Sequence, residues 1–83
     1  MAGIDKILAQ MTNSPKGVRF ADLRKVCEHF FGQPRQSGSS HAVFKTPWLG
    51  DPRVNIQNAD GMAKPYQIRQ ILKAIERLQN ENP

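Results

Sequence analysis

Residues 41–57 read HAVFKTPWLGDPRVNIQ, and this stretch decides the fold. Its two ends, residues 41–46 and 53–57, both show the two-residue period of a strand. The turn formers at 47–52 suit a hairpin loop between them. The stretch therefore predicts two paired antiparallel strands.

The alternation also assigns side chains to the two faces of this sheet. Phe44 shares a face with Val54 and Ile56 if the apolar side of the sheet meets a layer of helices. Alternation then puts His41 and Lys45 on the open face. A sheet with one solvated face is typical of antiparallel strands.

Helical periodicity begins upstream of the strands. Apolar residues at positions 4, 7, 8 and 11 predict a first helix, which Pro15 ends by about residue 13. An apolar stripe predicts a second helix over Phe20–Phe31. Gly32 suits the left-handed position after that helix, and Pro34 prevents its continuation.

A third helix is predicted after the strands. Pro65 suits its first turn, and its apolar stripe runs from Ile68 to Leu78, so we expect residues 79–83 to fray. Arg35 to Gly38 is a weaker third strand. The predicted fold is α+β in the order α-α-β-β-β-α, a three-stranded antiparallel sheet with helices packed on one face.

The size and charge of the chain limit its class. Eighty-three residues make one domain, 1–83, and the longest apolar runs fall far short of the roughly 20 residues that span a bilayer. Asp5 and Lys6 interrupt the amino terminus, which favours a cytoplasmic protein without a signal peptide or a membrane contact. The net charge of +5 and the pI near 9.9 favour a nucleic-acid partner. A domain that is basic by chance is the alternative.

Several kinds of chemistry are disfavoured by the residues present. The sequence has no Gly-rich phosphate loop before a Lys-Ser/Thr pair, and its acidic residues are scattered, which disfavours nucleotide hydrolysis and two-metal catalysis. Cys27 belongs to the apolar stripe of its helix and is interpreted as core packing. His29, two residues later, points elsewhere and is interpreted as a surface residue. We therefore expect no metal and no cofactor.

His41 is the most promising group for chemistry. It follows Gly38-Ser39-Ser40, where a turn leads into a strand. An imidazole can exchange protons near neutral pH, while the serine hydroxyls and Lys45 could bind a phosphate. The alternative is an exposed strand histidine without a chemical role.

Two segments resemble one family. Residues 35–47, RQSGSSHAVFKTP, resemble the Arg-x-x-Gly-Ser-His segment of HicA toxins, and residues 63–72, AKPYQIRQIL, are similar to the family's closing helix. The resemblance covers residues 20–80 and makes residues 1–14 an amino-terminal helical extension. It implies a double-stranded-RNA-binding-domain-like fold and a toxin that cleaves mRNA, inhibits translation and is held by a HicB-type antitoxin.

The chain departs from the family in two places. Counted forward from Arg35, the family's histidine falls on Ser40, whereas counted back from Phe44 it falls on His41, and a one-residue bulge would reconcile the counts. The family's Val-Pro-x-His segment is replaced by VNIQN at 54–58. RNA binding is therefore better supported than cleavage.

The resemblance implies a metal-independent ribonuclease with His41 as acid or base. Lys45 or Arg35 would stabilise the phosphorane, and Ser39 or Ser40 would orient the phosphate. The predicted site residues are, for catalysis, His41, Ser40 and Lys45, and for RNA binding, Arg35, Ser39, Arg53, Lys64 and Arg69.

The rival interpretation is a non-catalytic RNA-binding or protein-interaction module on the same fold. The four phenylalanines are expected to be buried, which leaves Trp48 and Tyr66 as possible base stackers. Only two possible base stackers favour recognition of phosphate and shape over recognition of bases.

Overall fold

The computed structural model describes residues 3–38, 40–46 and 53–81. The predicted α+β class and the order α-α-β-β-β-α are confirmed, with one short strand added before the last helix. The elements are α1 (Ile4–Asn13), a 3₁₀ turn (Pro15–Gly17), α2 (Phe20–Phe31), β1 (Gln36–Ser37), β2 (His41–Lys45), β3 (Arg53–Ala59), β4 (Met62–Ala63) and α3 (Pro65–Glu81). The strands form an antiparallel sheet in the order β1-β2-β3-β4.

The pairing of β2 with β3 is regular. Five Cα pairs run from His41 opposite Gln57 to Lys45 opposite Arg53. The ladder continues by one residue, because the Asn58 N–H donates to the Ser40 carbonyl at 2.8 Å. The suggested bulge is therefore not found between Ser40 and Lys45, where each residue of β2 has one partner on β3.

The strand β4 was not predicted. It pairs with the end of β3 through the tight turn at Asp60 and Gly61, whose φ angles are 53° and 86°. A type I′ hairpin turn requires positive φ at both central residues, and Asp-Gly is a preferred pair for it. The Gly61 N–H also donates to Asn58 Oδ1, which fixes the turn.

The ends of the helices follow from local chemistry. Helix α2 has the predicted bounds, and Gly32 after it has the positive φ, 85°, that a glycine tolerates. Helix α3 continues to Glu81, so the expected fraying from residue 79 is wrong as far as the described residues extend. In the described part of the chain, the helices are too short or too polar to cross a membrane.

One core joins all three helices to the sheet. Helix α1 contributes Ile7 and Met11, which are almost completely buried in the same cluster as Phe44 and Ile56. The first helix is thus part of the hydrophobic core, although the resemblance treats it as an extension. Burial of Cys27 in this core raises the pKa of its thiol to about 12, with the nearby Glu28 carboxylate adding to the effect.

A buried glutamine joins α3 to the sheet. Strand β4 gives way to α3 at Lys64, whose carbonyl accepts the first helical N–H groups, from Gln67 and Ile68. The pairing of β3 with β4 ends at Asn58, one residue after Gln57, and the Gln57 N–H donates to the side-chain Oε1 of Gln67 at 2.8 Å. Because a buried backbone N–H needs a hydrogen-bond partner, the Gln67 side chain takes the place of β4 at this position.

Candidate nucleic-acid interface

The two faces of the sheet differ as the alternation predicts. Ala42, Phe44 and Ile56 are 0% exposed and face the helices. His41 and Lys45 are exposed on the opposite, open face. Asn55 and Gln57 of β3 are exposed with them, so this face offers an imidazole, amides and cations to solvent.

Two cations meet at one end of the open face. Lys45 and Arg53 are directly opposed in the ladder, and both are exposed. Phosphate accepts hydrogen bonds from both of these side-chain types, so the pair marks one end of the open face as a place where a phosphate could bind.

The His41 ring lies against the hairpin that precedes it. The Gly38 N–H donates to the His41 carbonyl at 2.9 Å, which closes the hairpin. A Cβ atom added to Gly38 would come within 3.2 Å of His41 Cε1 and 3.6 Å of Nδ1. The imidazole therefore occupies the space that a side chain at position 38 would need.

Gln57 was missed by the sequence prediction. It is the Cα partner of His41 and is exposed, so its side chain lies on the same open face at the directly opposed position. Lys45, by contrast, is four residues from His41 along β2, about 13 Å at 3.3 Å per residue. Gln57 is thus better placed than Lys45 to contact a phosphate that His41 touches.

The two predicted serines directly precede β2. Ser40 is exposed at a bend, and its carbonyl accepts the Asn58 N–H at 2.8 Å. Ser39 lies outside the described residues.

The remaining predicted cations are spread over the molecule. Arg35 is exposed at the outer edge of the sheet, where its N–H donates to the Val43 carbonyl at 2.7 Å. Lys64 follows β4 at the other edge and is half-buried. Arg69 is exposed on α3, in the helix layer. Lys45 and Arg53 are thus directly paired, while the other three surround the sheet.

The aromatic residues correct one expectation. Phe30 and Phe31, the last two residues of α2, are only half-buried and pack against the edge of the core. With Lys45, Thr46 and Leu78 they line a groove of about 420 Å³. Tyr66 is 52% exposed, as expected of a possible stacker, and Trp48 lies outside the described residues.

Cys27 and His29 lie where the sequence predicts, the first in the core and the second on the surface. Cys27 is buried with a raised pKa, so its thiol is neutral near pH 7. His29 is exposed, with its ring against Phe30 in an edge-to-face contact at 4.9 Å. Within the described ranges, His, Cys, Asp and Glu form no group of three that could hold a metal ion.

Comparison of the chain with protein-family models, with curated proteins and with solved structures finds no match.

Proposed function

We propose that the protein binds single-stranded RNA on the open face of its sheet and cleaves it with His41 as the acid–base group. The observation that supports this proposal most is the grouping on that face of an exposed imidazole, a neighbouring amide and a pair of cations. The net charge of +5 and the resemblance of residues 35–47 to HicA toxins favour RNA over other anions. The proposed biological role is that of a toxin that inhibits translation by cutting mRNA.

The reaction uses the RNA's own 2′-hydroxyl as nucleophile. His41 Nε2 or Nδ1 removes the 2′-hydroxyl proton while the 2′-oxygen attacks phosphorus, the P–O5′ bond breaks, and the 5′-oxygen takes a proton from water or from the imidazolium. The products are a 2′,3′-cyclic phosphate and a 5′-hydroxyl. The Gln57 amide donates to a phosphoryl oxygen, while Lys45 and Arg53 hold a neighbouring phosphate.

Cleavage and its chemistry can be tested together. Labelled RNA is incubated with the purified protein in EDTA, alongside an RNA with 2′-deoxy substitution throughout. We expect only the RNA with 2′-hydroxyls to be cut, because the nucleophile is missing from the other. Cleavage of both substrates would refute the proposed reaction, and so would a failure to cleave the RNA with 2′-hydroxyls.

A second function is favoured by a specific observation. His41 is the only imidazole on the described part of the open face, so base and acid must be one group or include water. A non-catalytic RNA-binding module needs only the cations and amides of that face. Salt-dependent binding of uncut RNA would favour this function.

We also propose a protein partner that covers the open face. The resemblance implies a HicB-type antitoxin, and acidic groups on such a partner would complement Lys45 and Arg53 and speed its association. In a mixture of the two proteins, RNA cleavage should fall in proportion to complex formed. A complex that leaves cleavage unchanged would show that the antitoxin binds elsewhere.

A further inference from the structure

We propose that the groove lined by Phe30, Phe31, Lys45, Thr46 and Leu78 binds one nucleobase of the RNA. This inference rests on the proposed function, because the base would belong to the strand held on the open face. The RNA would then contact the protein through one of its bases as well as through its phosphates.

The groove has the chemistry of a stacking site. Its volume of about 420 Å³ lies within the range of small-molecule sites. Phe30 and Phe31 are half-buried and line the groove, and Leu78 of α3 adds an apolar wall. Every base has a π-face, so such a surface accepts bases of any identity.

Lys45 connects this groove to the open face. It lines the groove and is also the directly opposed partner of Arg53 on the sheet. A nucleotide whose phosphate contacts Lys45 can therefore place its base in the groove. This continuity favours an anionic ligand with an aromatic part over the apolar side chain of a partner protein.

The specificity expected of the groove is low. Thr46 is 2% exposed, so it offers little to the edge of a base. The groove should therefore bind purines and pyrimidines with similar affinity, by stacking rather than by hydrogen bonding to base edges. It should, however, distinguish a nucleotide from a sugar phosphate without a base.

The test compares two short single-stranded 2′-O-methyl oligonucleotides with equal numbers of phosphates, one with bases and one abasic. Blocking the 2′-oxygen prevents cleavage during the measurement. Fluorescence anisotropy of the wild-type protein should show about tenfold tighter binding of the oligonucleotide with bases, within the range that stacking of one base provides. A Phe30→Leu, Phe31→Leu double variant should reduce this preference to about twofold, with an unchanged salt slope.

Tyr66→Leu is the matched control, because Tyr66 is an aromatic residue that is 52% exposed and does not line the groove. It should retain the preference for bases. Loss of the preference in Tyr66→Leu alone would assign stacking to Tyr66 and overturn the proposal that the groove binds a base. Equal, salt-dependent binding of both oligonucleotides would overturn the groove but leave RNA binding intact, whereas binding of neither would refute both proposals.

A measurement on the wild-type protein covers the case in which the double variant does not fold. NMR signals of the Leu78 methyl groups and of the Phe30 and Phe31 rings should shift on addition of uridine monophosphate, and ribose 5-phosphate should leave them unchanged. Equal shifts with both ligands would overturn the inference. Shifts that depend on protein concentration without nucleotide would assign the groove to a second copy of the chain and overturn it as well.

Discussion

The helix-facing and the open sides of β2 and β3 differ in kind although they share one backbone. Ala42, Phe44 and Ile56 are fully buried on the first side, whereas His41 and Lys45 alternate with them and are exposed. The first side therefore carries the stability of the fold, and the second is available for recognition. Substitutions at adjacent residues of β2 should separate these two properties.

Phe44→Ala should have the largest effect of the substitutions considered, which is a loss of stability. Phe44 is 0% exposed, and removing its ring leaves a cavity in a core that all three helices share. We expect the free energy of unfolding to fall by about 3–5 kcal/mol. Urea denaturation followed by circular dichroism measures it. Lys45→Ala, one residue away on the open side, should stay within about 0.5 kcal/mol, and a similar loss in both would contradict the difference between the sides.

His41→Ala should slow RNA cleavage and leave the stability of the fold unchanged. Loss of the acid–base group should slow RNA cleavage by about 10²–10⁴-fold, while the melting temperature stays near that of the wild type because His41 is exposed. Cleavage rates on labelled RNA and a thermal melt measure the two effects. Ser40→Ala is the matched control and should slow cleavage less, because a serine hydroxyl is a much weaker acid–base group near neutral pH than an imidazole. Cleavage by His41→Ala at the wild-type rate would exclude the assigned role.

The helix side should also determine how stability depends on pH. Burial raises the pKa of Cys27 from 9.0 to about 12, so the unfolded chain releases this proton first as the pH rises. The contribution of the Cys27 thiol to the free energy of unfolding is complete below pH 9. It is lost between pH 9 and 12, by about 1.4 kcal/mol per pH unit. Chemical denaturation at several pH values measures the slope. Cys27→Ala should have a shallower slope over this interval, and an equal slope in both proteins would contradict the assignment.

The helices and the two faces of the sheet were predictable because their signals are local. The stripe over Phe20–Phe31 and the stop at Gly32 gave the bounds of α2, and the period of residues 41–46 separated Phe44 from His41. The strand β4 was missed because its two residues, Met62 and Ala63, are too few to show an alternating period, although Asp60-Gly61 before them is a strong hairpin signal.

The parts of the site that depend on register could not be predicted. The period of β3 puts Gln57 on one face but does not say which residue of β2 it opposes, since the backbone hydrogen bonds of the whole ladder decide this. The groove at Phe31 joins the ends of α2, β2 and α3, which are distant in sequence. The function itself, including RNA binding and the role of His41, stays a prediction.

The cations of the open side should contribute to affinity in a salt-dependent way. Lys45→Gln removes one phosphate contact, so the slope of log affinity against log salt should become less negative by about 0.7 for single-stranded RNA. A salt titration by fluorescence anisotropy measures the slope. Lys25→Gln is the control, because Lys25 is exposed on α2 in the helix layer. An equal change in both variants would show that total charge, rather than the open side, binds RNA.

Gly38→Ala should have the smallest effect and tests the orientation of His41. A Cβ atom at position 38 lies 3.2 Å from Cε1, so the ring must shift by a few tenths of an ångström. We expect cleavage to slow by about 2–5-fold, below the roughly 10²-fold that a 1 Å misplacement can cause. RNA affinity should be unchanged, because Lys45 and Arg53 are not disturbed. Gly17→Ala is the matched control, since its Cβ atom would meet only Gln10 Nε2, at an ordinary 3.8 Å. NMR signals of the His41 ring should move in Gly38→Ala and not in Gly17→Ala, and slower cleavage without such a movement would show that Gly38 acts through something other than the imidazole.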